Sequence, residues 1–247
     1  MVTTSTATTE SSPLQADLVA LLHATRAAER DLLGMLDAGA RDAAGTIGEW
    51  SAKDVLAHLA AWRAIEARRL DAAATRDDAL TAGDPAPNHP IDESNAELHA
   101  HHADWAWEMV QRDADASVDA LLAAIGRSTT TALCECDGTA AGIGSNGANH
   151  ALGHLGDIAL LAGDTQRYGA FAREVEAILA RSHLPPRDSG VLLYNIACHR
   201  ALSGDLDEAR RLLRVAFAKR RDLLELAVDD PDLVALRDEL TELAAPA

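Results

Sequence analysis

The stretch Trp50-Ser51-Ala-Lys-Asp54-Val55-Leu-Ala-His58-Leu59-Ala-Ala-Trp62 decides the fold class. Ser51 is a residue type whose side-chain oxygen satisfies the free N–H groups at a helix start. Behind it Val55, Leu59 and Trp62 recur at intervals of three and four, the period of an apolar helical stripe. That spacing predicts a helix over residues 51–74. His58 shares the stripe, so its imidazole is expected to point into the protein rather than to water.

Working outward, Leu14, Leu18, Leu21, Leu22, Leu32, Leu33 and Leu36 keep the same period, which predicts a first helix over 14–38 stopped by Gly39. After the second helix the segment Thr81-Ala-Gly-Asp-Pro-Ala-Pro-Asn-His-Pro90 cannot continue a helix, because proline lacks the N–H and clashes with the preceding turn. A third helix is predicted from near Asp92. It carries Leu98, His102, Trp105 and Met109 on one face, with Val118, Leu121, Leu122 and Ile125 extending the pattern past a kink or break. A glycine-rich stretch over 138–147 leads to a fourth helix over 149–161. Hydrophobic residues make up 48% of the 247 and aromatics only 3%, so alanine and leucine supply a core suited to closely packed helices rather than sheets. The reading is all-α, an antiparallel four-helix bundle over 14–165, preceded by a polar tail over 1–13 that has neither the basic start nor the apolar centre of a signal peptide.

From residue 166 the pattern changes. Tyr194-Asn-Ile-Ala-Cys198-His-Arg-Ala201-Leu-Ser-Gly204-Asp-Leu-Asp-Glu-Ala209 reads as helix, tight turn, helix, with small residues at 197, 209 and 216 between Leu193, Ile196 and Leu213. It resembles a tetratricopeptide repeat, and Asp230-Pro-Asp-Leu-Val-Ala-Leu-Arg237 resembles the ending of such terminal repeats. Arg200 stands where that family usually keeps a large residue of the first helix. One repeat cannot bury its own apolar face, so this region, 166–247, must lean on the segment 171–179, on the bundle, or on another chain as a homodimer or a docked protein.

With 39 acidic against 22 basic residues the net charge is −17, which repels phosphate backbones and anionic lipid, so nucleic acid is excluded as a partner. Charges interrupt every apolar run before membrane-spanning length, and a cytoplasmic protein is expected. Cys134 and Cys136 form a C-x-C without the second pair that a zinc site needs and are read as reduced thiols. Gly142-Ile-Gly144-Ser-Asn-Gly147 satisfies a dinucleotide-binding expression, and residues 129–136 before it pass for a strand, but no βαβ pattern surrounds them, so the segment is read as a loop at the bundle mouth.

Among ten histidines three stand out. His150 and His154 are one turn apart on a predicted helix, the spacing at which two imidazoles chelate one divalent ion, and a third ligand has to come from another helix. Asp157, one turn further, either orients a ligand's second nitrogen or is a solvated carboxylate. His102, with Leu98 and Trp105, either lines a pocket or packs.

At Trp50-Ser-Ala-Lys-Asp54-Val-Leu-Ala-His58-Leu-Ala-Ala-Trp62, Asp92-Glu-Ser-Asn95-Ala-Glu-Leu and His150-x-x-x-His154 the chain resembles the DinB-like bundles, including the branch of colibactin self-protection proteins and mycothiol-dependent maleylpyruvate isomerases. The resemblance covers residues 14–162 and implies metal ligands at His58, His150 and His154; Trp62, Asn95, His102, Trp105 and Asp157 are the candidates for lining the pocket or orienting those ligands. It implies a divalent cofactor, zinc or nickel, with a low-molecular-weight thiol as cosubstrate. The activity implied is a metal-dependent thiol transferase or hydrolase acting on a small electrophile in detoxification or resistance. The alternative is a non-catalytic module that sequesters a small molecule and docks a partner through its tail.

Overall fold

The computed structural model describes residues 12–44, 50–75, 90–129, 133 and 145–245, and all regular structure among them is helical. Helix α1 (Pro13–Gly34) opens on a capping box in which Ser12 and Gln15 satisfy each other's backbone N–H groups. The Gln15 amide then donates to the carbonyls of Ile125 and Ser128 at 2.9 and 2.7 Å, using groups left free where another helix ends. The helix expected over 14–38 is shorter than its leucine pattern. Asp37 accepts from the Ala40 N–H at 2.8 Å and so caps a separate short helix, α2 (Ala38–Asp42).

Helix α3 (Ala52–Thr75) begins as the sequence indicates: the Asp54 N–H donates to the Ser51 hydroxyl at 3.1 Å while Asp54 accepts from the Ser51 N–H and hydroxyl. The third predicted helix is two, α4 (Ile91–His102) and α5 (Trp107–Arg127). The break over 103–106 resets the helical phase, so Met109 is 42% exposed instead of sharing the buried face of His102. A π-helical turn, Ser145–Asn149, leads into α6 (His150–Ala162), which Gly163 ends in the left-handed conformation at φ 68°.

Helix α3 packs along α5, α1 packs on α5 and α6, and α6 closes back onto α3. Arg127 near the end of α5 pairs with Asp71 near the end of α3 at 2.7 Å, so these neighbours run in the same direction. The start of α1 meets the end of α5, so that pair runs oppositely. The expected antiparallel order is therefore modified: α4 runs back along α3, with Asn95 beside Trp62 and His99 beside Asp54, before α5 descends again.

Helices α7 (Thr165–Leu179), α8 (Pro186–Leu202), α9 (Leu206–Lys219), α10 (Leu223–Asp229), a 3-10 helix (Pro231–Glu239) and α11 (Leu240–Leu243) follow. Gly204 turns between α8 and α9 at φ 81°, a conformation in which a Cβ is strained. Ala197, Ala209 and Ala216 are buried where these two helices approach. The apolar faces do not stay bare: α7 packs on α1 and α6, and α8 packs on α6. Phe171, Val175, Leu192 and Ile196 are buried as a result. Each such side chain contributes about 1.5–3 kcal/mol by leaving water. A chain ending at Ala162 is therefore expected to melt at lower temperature and to bind an apolar dye; a truncated chain with the full chain's midpoint and no dye binding would overturn this. Among the described residues no helix is long and apolar enough to cross a membrane. Cys134, Cys136, Gly142 and Gly144 lie outside the described residues.

Candidate metal centre

His58 lies in the second turn of α3, His150 opens α6, and His154 follows one turn later on the same face. The packing of α6 onto α3 brings the three together. The Nε2 atoms of His58 and His150 are 2.9 Å apart, and the His154 ring centroid lies 5.6 Å from that of His58 and 5.0 Å from that of His150. One nitrogen from each ring falls within 4.8 Å of the others. A tetrahedral zinc ion bound at 2.0–2.1 Å sets its nitrogen ligands about 3.3 Å apart, a separation between the 2.9 Å of His58 and His150 and the 4.8 Å that bounds all three.

The electrostatics favour lone pairs. Burial, followed by the neighbouring His150, His154 and His102, pushes His58 down to about 2. Burial, followed by His154 and the Arg63 guanidinium, pushes His150 down to about 3. Burial lowers His154, with the Asp157 carboxylate opposing. All three rings are thus neutral near pH 7 and offer nitrogen donors, which suit zinc, nickel and similar borderline ions. At 2.9 Å the neutral rings of His58 and His150 share an Nε2 hydrogen bond whose direction depends on the tautomer, and a divalent ion would replace that shared proton by ligating both nitrogens. The donor set fits the metal the sequence motifs imply. The buried Nδ1 of His58 has no hydrogen-bond partner, and its ring meets the Trp50 indole in a T-shaped contact at 4.7 Å.

The other candidate residues divide. Trp62 stands T-shaped to His58 at 6.4 Å, and its indole N–H donates to Asn95 at 3.1 Å, fixing α4 beside the centre. His102 is buried, bonds through Nδ1 to the Leu98 carbonyl at 2.6 Å and packs on Trp105 at 4.5 Å. Trp105 therefore touches His102 rather than the three ligands. Asp157 acts on His154 through charge, without a hydrogen bond to it. Near the centre, His99 stacks on Trp50 at 5.5 Å and faces Asp54 at 3.5 Å.

Two features escape the sequence pattern. Arg63 and Glu29, both fully buried, form an ion pair joined by Arg26, whose guanidinium lies 3.1 Å from Glu29 and 2.6 Å from Asp115. This pair lies beside His150 in the core, and burial lowers Arg63 to about 9. Away from it, Cys198, Asp230 and Asp232 also bring possible ligand atoms within 4.8 Å. There Tyr194 donates to Asp230 at 2.6 Å, and Asp230 caps the 3-10 helix by accepting from the Asp232 N–H at 2.9 Å. Burial and the adjacent carboxylates push the Cys198 thiol up, so it keeps its proton, and the group serves the cap. No protein-family model, curated protein or solved structure matches this chain.

Proposed function

We propose that the chain is a DinB-like four-helix bundle with a tetratricopeptide-like tail, and that it is a divalent-metal-dependent thiol transferase or hydrolase for a small electrophile. The observation that carries this is the convergence of three neutral imidazoles from two helices, His58 buried and His150 and His154 half-buried. The resemblance of the residues around Trp50, Asn95 and His150 to that family supports it, as do the pairing of α1, α3, α5 and α6 and the helical hairpin of α8 and α9.

Three nitrogen ligands leave part of a divalent ion's coordination shell open, and an ion held there supplies Lewis acidity toward water or a thiol. The chain's own contribution is positional. His58, His150 and His154 hold the ion without adding negative charge, so its field is not diminished by its ligands. Trp50 and Trp62 keep the ligand rings in an apolar surround, which excludes water from the reacting side and strengthens the ion's effect on an incoming thiol's proton.

A comparison of chelator-stripped and metal-reloaded protein tests the reading, using generic electrophiles with mycothiol, bacillithiol, glutathione or water as the nucleophile. Turnover is expected only with the metal, and helical content is expected to survive its removal because the bundle has its own leucine and alanine core. Equal turnover by the stripped protein overturns the mechanism. Binding of small molecules without metal or turnover would instead support the sequestering module.

The depressed ligand pKa values set a pH dependence. Their folded values lie below the ordinary 6.5, so the neutral form persists as pH falls through 6.5 and protons begin to compete only near the lowered values. Between pH 7.5 and about 5.5 zinc affinity is expected to fall by less than tenfold per pH unit in a competition titration, since His58 and His150 stay neutral throughout and His154 titrates below its ordinary value. A loss approaching tenfold per pH unit for each ligand, the behaviour of exposed histidines, would contradict the buried arrangement.

A further inference from the structure

The second helix of the bundle's ligand set is held from outside the bundle. Helix α6 carries His150 and His154, yet it also contains Gly153 and Gly156, each of which costs about 1 kcal/mol of helix propensity relative to alanine. Helix α8 of the tail supplies contacts at three successive points along it. Asn195 donates from Nδ2 to the Asn149 side-chain oxygen at 2.5 Å, immediately before His150. His199 donates from Nε2 to the Gly153 carbonyl at 3.2 Å. The same imidazole lies against Gly156 so closely that a Cβ there would fall 1.6 Å from the ring. Tyr168 of α7 also packs on His199, at 4.4 Å between ring centroids, so the ring meets two elements.

Positions 149, 153 and 156 lie on one flank of α6, about a third of a turn from the face that presents 150 and 154. Contacts on that flank fix the rotation of the helix about its axis. A rotation of about 10° moves a ring nitrogen some 5 Å from the axis by roughly 1 Å. A metal–ligand bond tolerates only about 0.2 Å.

We propose that Asn195 and His199 are positioning residues for the metal centre, clasping α6 so that His150 and His154 meet His58 in ligating geometry. The proposal rests on the metal-binding reading of the three histidines. It makes the tail part of the site's construction, not an appended docking unit, and it explains why a repeat-like hairpin follows the bundle with its first helix turned inward.

Zinc titration and cobalt(II) absorption spectra of the full chain test this with Asn195→Ala, His199→Phe, His199→Gln and Tyr194→Phe. Asn195→Ala and His199→Phe are expected to weaken zinc about 10- to 100-fold, as loss of outer-sphere partners does elsewhere, and to change the cobalt(II) ligand-field bands. His199→Gln keeps a donor for the Gly153 carbonyl and is expected to recover most of the affinity. Tyr194→Phe removes a hydrogen bond from the same helix on the side facing Asp230, so it reports on loosening of the tail alone and is expected to bind as the wild type does. Should His199→Phe fail to fold, half-buried Asn195→Ala carries the test. Wild-type protein that takes up neither ion overturns the metal reading and the clasp with it. Wild-type affinity and spectra in Asn195→Ala and His199→Phe, or an equal loss in Tyr194→Phe, overturn the clasp alone.

Discussion

His150→Ala is expected to lower zinc affinity by at least two orders of magnitude while costing the metal-free protein only about 1 kcal/mol. Both halves follow from one arrangement. Structural zinc sites with four ligands bind with roughly 10–16 kcal/mol, about 3 kcal/mol for each ligand, and 3 kcal/mol corresponds to a factor of more than 100 in the dissociation constant. Without the ion, however, His150 is neutral and shares one hydrogen bond with His58 at 2.9 Å, so its removal breaks a single neutral hydrogen bond, a loss of about 0.5–1.5 kcal/mol. Alanine also favours the first turn of α6. A residue kept for packing would show the opposite signature, a lower melting temperature with unchanged metal uptake. His183, which bonds to Asp17 on the surface, and His89 are controls whose replacement should leave affinity alone. Isothermal titration beside thermal unfolding separates the cases, and wild-type zinc affinity in His150→Ala would exclude the residue as a ligand.

How far the sequence led depends on whether a feature is local. The α3 start was legible because Ser51 and Asp54 satisfy each other within one turn. The burial of His58 was legible because it shares a period with Val55 and Leu59. The α4–α5 break was not, since Leu98, His102, Trp105 and Met109 keep helical spacing across it and only the chain's course over 103–106 ends the register. The relative direction of α3 and α5 depends on α4 running back along α3, which periodicity does not encode. Nothing local distinguishes His199 in its helix; its contacts with α6 appear only when α8 lies on Gly153 and Gly156. Glycines at two α6 positions facing one side were the available signal, and it needed a partner helix to become meaningful. The burial of Arg63 and Glu29 was not legible for a different reason: a charge within an apolar helix ordinarily belongs to its wet face.

That buried pair yields the largest stability effect expected of a single substitution. Glu29 is fully buried and accepts from both Arg63 and Arg26, which come from α3 and from one turn earlier on α1. In Glu29→Ala two guanidinium groups would lose their shared counter-charge. Asp115 still serves Arg26, but Arg63 would be left as an unpaired cation in the core. Removing one partner of a buried pair costs about 3–5 kcal/mol, because the remaining ion keeps its desolvation penalty. For a chain of this size that corresponds to a fall of roughly 10 °C in melting temperature. Replacing both members together removes the stranded charge, so Glu29→Met with Arg63→Met should recover most of the loss, as apolar replacements of buried ion pairs often do. Non-additivity of this size identifies coupling between the two sites. A double variant as unstable as Glu29→Ala alone would show instead that the α1–α3 interface depends on Arg63 for more than its charge, while a Glu29→Ala variant melting with the wild type would show that the core admits water to that guanidinium.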